Sequence, residues 1–134
     1  MSIAITRASL DAEGRAYPRP QLERDSWCSL NGLWDFSFDP VGRWQGPDEV
    51  PWATQIRVPF SPEAPASGIG DTSFYRACWY RKRCALPDHD SGRRWLLHFG
   101  AVDYRATVWV NGAYAGGHEG GYRAVGRQPW RRVR

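Results

Sequence analysis

The residues that could do chemistry in this 134-residue sequence are scattered carboxylates and histidines. Glu63 and Asp71 lie in a stretch rich in Pro, Ser and Gly. Asp103 precedes an alternating apolar run, and His118 and Glu119 sit inside GGHEGGY. Two carboxyl groups can serve as acid, base or nucleophile, but only where burial or a like charge raises the pKa of one of them. No stretch here supplies the deep pocket such a pair needs, so no catalytic residue is expected. His89, His98 and His118 with Cys28, Cys78 and Cys84 do not form a zinc-ligand spacing, and no metal site is expected. GGHEGG lacks both the Lys-Ser/Thr ending and the strand-to-helix setting of a phosphate loop, so no cofactor is expected either.

Aromatic residues offer a different chemistry. Eight Trp, six Tyr and five Phe supply much of the apolar material. A pyranose ring exposes a C–H face that stacks on indole, and Trp44 and Trp52, both in loop-like sequence, are the candidates for such a platform. Trp34, Trp79, Trp95 and Trp109 fall in strand-like sequence. There the expected role is core packing, with the indole N–H bonded to a nearby carbonyl.

Short strands must position these side chains. In Leu30–Asp39 (LNGLWDFSFD), Trp34, Phe36 and Phe38 alternate with Asp35, Ser37 and Asp39, the period of a strand. Asn31-Gly32 before it signals a turn. Residues 40–51 read as loop, 55–60 as a short strand ended by proline, and 61–73 as a long loop of the kind that is either mobile or functional. Residues 78–86 read as a strand that leaves the core near Lys82, 87–92 as a turn, and 95–99 as a short apolar strand. RATVWV at 105–110 places Ala106, Val108 and Val110 on one face. Asn111-Gly112 then carries the strongest hairpin signal in the chain, with a return strand over 113–116. No window keeps a helical period, and the expected fold is an all-β antiparallel sandwich.

The formal charge of +4 misleads. Residues 1–122 hold 13 basic and 14 acidic side chains, whereas 123–134 hold five Arg and no acid. Nucleic acid is therefore not the expected partner, although an Arg-rich tail could attach non-specifically. No run approaches the roughly 18 apolar residues of a membrane span, and MSIAITRASL lacks a signal-peptide core, so no membrane association and a cytoplasmic location are expected. The three cysteines, an odd number without a CxxC pair, are expected as free thiols.

Four stretches, YPRPQLERDSWCSLNGLWDFSFD (17–39), VPFSPEAPASGIG (58–70), WYRKRCALP (79–87) and LLHFGAVDYRATVWVNGAYAGGHEGGY (96–122), resemble in order and spacing the N-terminal domain of glycoside hydrolase family 2. That family includes β-galactosidases, β-glucuronidases and β-mannosidases. The resemblance implies a galactose-binding-like jelly-roll β-sandwich over 27–122, an extended arm over 1–26 and an atypical Arg-rich tail over 123–134. Full members add an immunoglobulin-like domain and a (β/α)₈ barrel of about 250 residues. The barrel carries two glutamates whose carboxyl groups lie about 5 to 5.5 Å apart in a retaining mechanism.

Those two domains are then the expected partners, with a carbohydrate such as a β-galactoside bound in the full enzyme. By the same resemblance, Glu63, Asp71, Asp103, His118 and Glu119 become candidates for substrate or interdomain contact. Structural roles in loops and turns stand beside these readings. After Tyr122 the sequence departs from the family pattern, which suggests a truncated or frame-shifted product with a sandwich incomplete at its C-terminal end. The expected function is a non-catalytic sugar-binding or scaffold domain of a β-glycosidase; the alternative is a free-standing carbohydrate-binding module.

Overall fold

A computed structural model describes residues 28–84, 96–100 and 102–120. The arm over 1–26, the turn at 87–92, Trp95, His89 and the tail over 123–134 lie outside the described residues. The chain divides into two units, Met1–Pro87 and Asp88–Arg134, each taken by itself below.

In the first unit the alternating aromatic run becomes β1 (Gly32–Asp39). It is the central strand of an antiparallel three-stranded sheet, flanked by β2 (Thr54–Val58) and β3 (Ala77–Arg81). The register places Trp34 opposite Ile56, Phe36 opposite both Thr54 and Tyr80, and Phe38 opposite Cys78. The sequence-predicted alternation therefore holds. Phe36 and Ile56 are fully buried, and the Phe36 ring meets those of Phe38 and Tyr80 edge-on at centroid distances of 4.8 and 5.0 Å. Phe36 and Ile56, with Val50 and Cys84, are the buried apolar core of the first unit, and Phe38 and Tyr80, less buried, pack edge-on against Phe36.

The opposite face of β1 is not a simple solvent face. Asp39 is fully buried and Ser37 nearly so, because residues 40–53 fold back over that end of the strand. The Ser37 hydroxyl donates to the Pro51 carbonyl. The Asp39 carboxylate accepts the backbone N–H groups of Arg43 and Trp44, both at 3.0 Å. Within this loop Pro47–Glu49 forms one 3₁₀ turn.

The third strand is shorter than its sequence suggested. It stops at Arg81, where the expectation ran to residue 86. The Lys82 ammonium then reaches the Leu33 carbonyl at 2.8 Å, so the charge that breaks the apolar pattern also marks where the ladder ends. Residues 96–98 have no regular structure and Phe99 makes a single bridge, which corrects the expected strand over 95–99 within its described part. Three or four residues are too few for a ladder without a longer neighbour.

In the second unit β4 (Arg105–Val110) and β5 (Ala113–Glu119) form a two-stranded antiparallel hairpin. Asn111 and Gly112 take φ values of 51° and 81°, the left-handed pair that a two-residue turn of this kind requires. The return strand continues to Glu119, three residues past its expected end at 116. GGHE is thus ladder, and the glycine-rich turn expected there is corrected. Its backbone groups pair with Arg105–Val108, and that pairing outweighs the local turn preference of glycine.

Candidate functional site

The 61–73 loop is ordered by its own chain. Ser67, 1% exposed, donates to the Pro62 carbonyl and accepts the Ile69 N–H, and the Asp71 N–H returns to the Pro62 carbonyl at 3.1 Å. A 3₁₀ turn at Pro65–Ser67 completes this compact loop.

Its two acids are both engaged. The Tyr75 hydroxyl donates to Glu63 Oε1 at 2.7 Å, and the Ser73 N–H donates to Asp71 Oδ1 at 2.8 Å. Tyr75 holds the Glu63 carboxyl below the usual range, helped by the Glu63 backbone N–H and the Ser61 hydroxyl. The Ser73 hydroxyl and N–H do the same for Asp71. Burial, and then the Glu63 contact, push the Tyr75 phenol well above its ordinary value. Burial also raises Tyr80, with Cys78 beside it. The Glu63–Tyr75 bond ties the loop to the segment entering β3, a link that only the fold could reveal.

Trp44 and Trp52 are half-buried in the 40–53 loop. The Arg43 guanidinium lies over the Trp44 ring at 5.2 Å, and that of Arg81 over the Trp52 ring at 4.4 Å. Arg81 also pairs with Asp35, with Nη2 at 2.8 Å and Nε at 2.9 Å from Oδ2. One face of each proposed indole platform is therefore occupied by an arginine, in a cation–π contact that the linear sequence hides for Trp52.

In the second unit Asp103 and Glu119 are exposed and His118 is half-buried. The ladder sets Glu119 opposite Arg105 and His118 opposite Ala106, so these neighbours point to opposite faces of the hairpin. His118 Nε2 lies 3.1 Å from the Gly120 carbonyl oxygen. Asp103 lies just beyond the paired end of β4 and is joined to Tyr104 by a cis peptide bond; the Tyr104 carbonyl accepts the Gly120 N–H at 2.7 Å. Glu63 and Asp71 share one loop, and Asp103, His118 and Glu119 share one end of the hairpin.

A hydrolytic acid needs a carboxyl whose pKa is raised. Hydrogen bonds hold the Asp39, Glu63 and Asp71 carboxyls below the ordinary carboxylate range. These carboxylates suit hydrogen-bond acceptance, not proton donation. Among the described residues no group of three His, Cys, Asp or Glu side chains could hold a metal ion. The thiols of Cys28, Cys78 and Cys84 are free, and burial raises all three. No described helix is long and apolar enough to cross a membrane.

Among the described residues, antiparallel strands with only single helical turns between them are those of an all-β protein of the β-sandwich class. No protein-family model matches the chain. Curated relatives do: a β-glucuronidase of Felis catus is 36% identical over 122 residues, and one of Canis lupus familiaris is 35% identical over 126, each covering 81% of this chain and 19% of the relative. A bacterial β-glucuronidase of Paenibacillus borealis is 30% identical over 113 residues, covering 79% of this chain and 18% of the relative. The chain is a glycoside hydrolase family 2-like N-terminal domain, homologous to the N-terminal region of β-glucuronidases. It spans about a fifth of the length of those relatives.

Proposed function

We propose that this chain is the non-catalytic, sugar-contacting and scaffolding N-terminal domain of a β-glucuronidase-like family 2 enzyme. Homology to β-glucuronidases along 81% of the chain is the observation that carries this reading. It also turns the expected parent substrate from a β-galactoside toward a β-glucuronide. The carboxylate chemistry supports a non-catalytic role, since hydrogen bonds at Asp39, Glu63 and Asp71 favour the charged form. In the parent, the immunoglobulin-like and barrel domains are the partners, and the exposed acids Glu63, Asp103 and Glu119 are available to sugar hydroxyls or to those domains. Three free thiols fit a reducing compartment, and we place the protein in the cytoplasm on that ground.

The test is turnover and binding measured side by side on the purified 134-residue chain. An aryl β-glucuronide should be hydrolysed no faster than in buffer, while calorimetry with methyl β-glucuronide at millimolar concentration should show saturable heat. Hydrolysis above the buffer rate would contradict the non-catalytic reading. No heat with any β-glycoside would contradict the sugar contact.

A further inference from the structure

We propose that the outward face of the β4–β5 hairpin is a carbohydrate-stacking site that receives the pyranose ring of a β-glycoside. This rests on the sugar-contact reading above and assigns the contact to Trp109 and Tyr114 instead of Trp44 and Trp52.

The hairpin has two unlike faces. Ala106, Val108 and Val110, with Ala113, Gly116 and His118 opposite them, are all half-buried. The other face carries Arg105, Thr107 and Trp109, opposite Glu119, Gly117 and Tyr114 respectively. On that face every residue except the half-buried Trp109 is exposed, and Tyr114 is 68% exposed.

The register shifts between Val108 and Trp109, so that Val108 pairs with Gly116 and Trp109 with Tyr114. Ala115 is the extra residue of this bulge. Without it, Tyr114 would share a face with Gly116 and His118. With it, Tyr114 turns to the side of Trp109, the re-aiming of a side chain that bulges produce. Gly116, at φ 153°, takes up the local distortion at no steric cost.

The two rings then stand 6.3 Å apart at 79°, forming an open corner with a flat wall and an upright one. Beside the corner Gly117 has no side chain, and the Tyr114 ring extends across it: a Cβ there would lie 3.5 Å from the Tyr114 hydroxyl and, tightly, 3.1 Å from the Ala106 carbonyl oxygen. A pyranose offers a C–H face to one ring and an edge to the other, while its hydroxyls need both donors and acceptors. Thr107, Arg105 and Glu119 provide both along the same face, and the opposite charges of Arg105 and Glu119 cancel. Stacking flanked by polar groups of no net charge matches a hydroxyl-rich ring better than a polyanion or a wholly apolar partner.

The experiment follows the indole N–H signals of the isotope-labelled full chain during titration with methyl β-glucopyranoside and methyl β-glucuronide. Trp109→Phe assigns the relevant signal. The expected result is a saturable shift of the Trp109 signal, weakened at least about tenfold by Tyr114→Ala. Tyr114→Leu should fail to restore binding and Tyr114→Phe should restore it in part. Trp44→Ala and Trp52→Ala should leave the affinity unchanged. Binding that survives Tyr114→Ala, or is lost in Trp44→Ala or Trp52→Ala, overturns this inference while leaving the sugar-contact function standing. Absence of saturable shifts with either sugar overturns both.

Discussion

Phe36→Ala is expected to destabilise the chain by about 3–5 kcal/mol, the range for deleting a fully buried aromatic side chain. Phe36 has no exposed surface and sits on the central strand, with Phe38 and Tyr80 packed edge-on against its ring. Few other side chains can absorb the loss. Among the described residues the buried apolar set comprises only Phe36, Val50, Ile56 and Cys84, so a cavity at the centre has little around it that can collapse. Set against a typical domain stability of about 5–15 kcal/mol, this single change removes a large fraction. Urea unfolding followed by tryptophan fluorescence measures it. Phe74→Ala is the control: Phe74 is 91% exposed, and its removal should change stability by less than about 0.5 kcal/mol. A Phe36→Ala variant as stable as wild type would show that the aromatic face of β1 is not the core.

Asp39→Asn carries the second large effect, and it depends on pH. Burial pushes the Asp39 carboxyl up, but the N–H groups of Trp44, Arg43 and Gly42 and the Trp79 side chain together outweigh it and hold the pKa below the ordinary aspartate value. A carboxyl with a depressed folded-state pKa contributes stability that is fully present above the unfolded-state value of about 3.9. That contribution is lost as pH falls below it through the folded-state value. At neutral pH the amide replaces one acceptor oxygen with an NH₂ group, which opposes one of the converging N–H donors. The melting temperature should fall on the order of 5–10 °C at pH 7. The gap between variant and wild type should narrow as pH drops below about 4, because the unfolded wild-type chain then takes up a proton at Asp39 that the folded carboxylate, with its lower pKa, resists. Circular-dichroism melts at pH 7 and pH 3 test this. An equal gap at both values would mean that the charge of Asp39 contributes nothing.

These two residues also show what was legible in the sequence. The alternation of Trp34, Phe36 and Phe38 located a strand and its core face, because a buried sheet face imposes a period of two. The same alternation could not show that Asp39 is buried on the other face. That burial depends on residues 40–53 folding back, which no local pattern encodes. Asn111-Gly112 announced the hairpin, since left-handed φ at two successive positions strongly restricts residue type. The expected return strand ended at Gly116 because the glycine-rich GGHEGGY run read as a turn, and the Ala115 bulge left no mark in the pattern.

The candidate site was legible to a lesser degree. Glu63 and Asp71 were placed correctly in one loop, yet Glu63's partner Tyr75 lies 12 residues away. Trp52 was found as a loop indole, but its cover, Arg81, arrives from another strand. Trp109 was read as core because it sits in a strand. It is half-buried on the face opposite Val108 and Val110, as alternation requires, and its exposed neighbour Tyr114 follows only from the bulge.

The claim that this chain acts as the N-terminal domain of a β-glucuronidase-like enzyme has one most direct measurement. The segment of the Paenibacillus borealis β-glucuronidase that matches this chain is replaced by the corresponding residues of the chain, and hydrolysis of an aryl β-glucuronide is assayed. The matching segment of the Felis catus β-glucuronidase, grafted in the same way, is the positive control. A soluble chimera that hydrolyses the glucuronide within about tenfold of the control is the result expected. A chimera that is soluble but inactive beside an active control would contradict the claim.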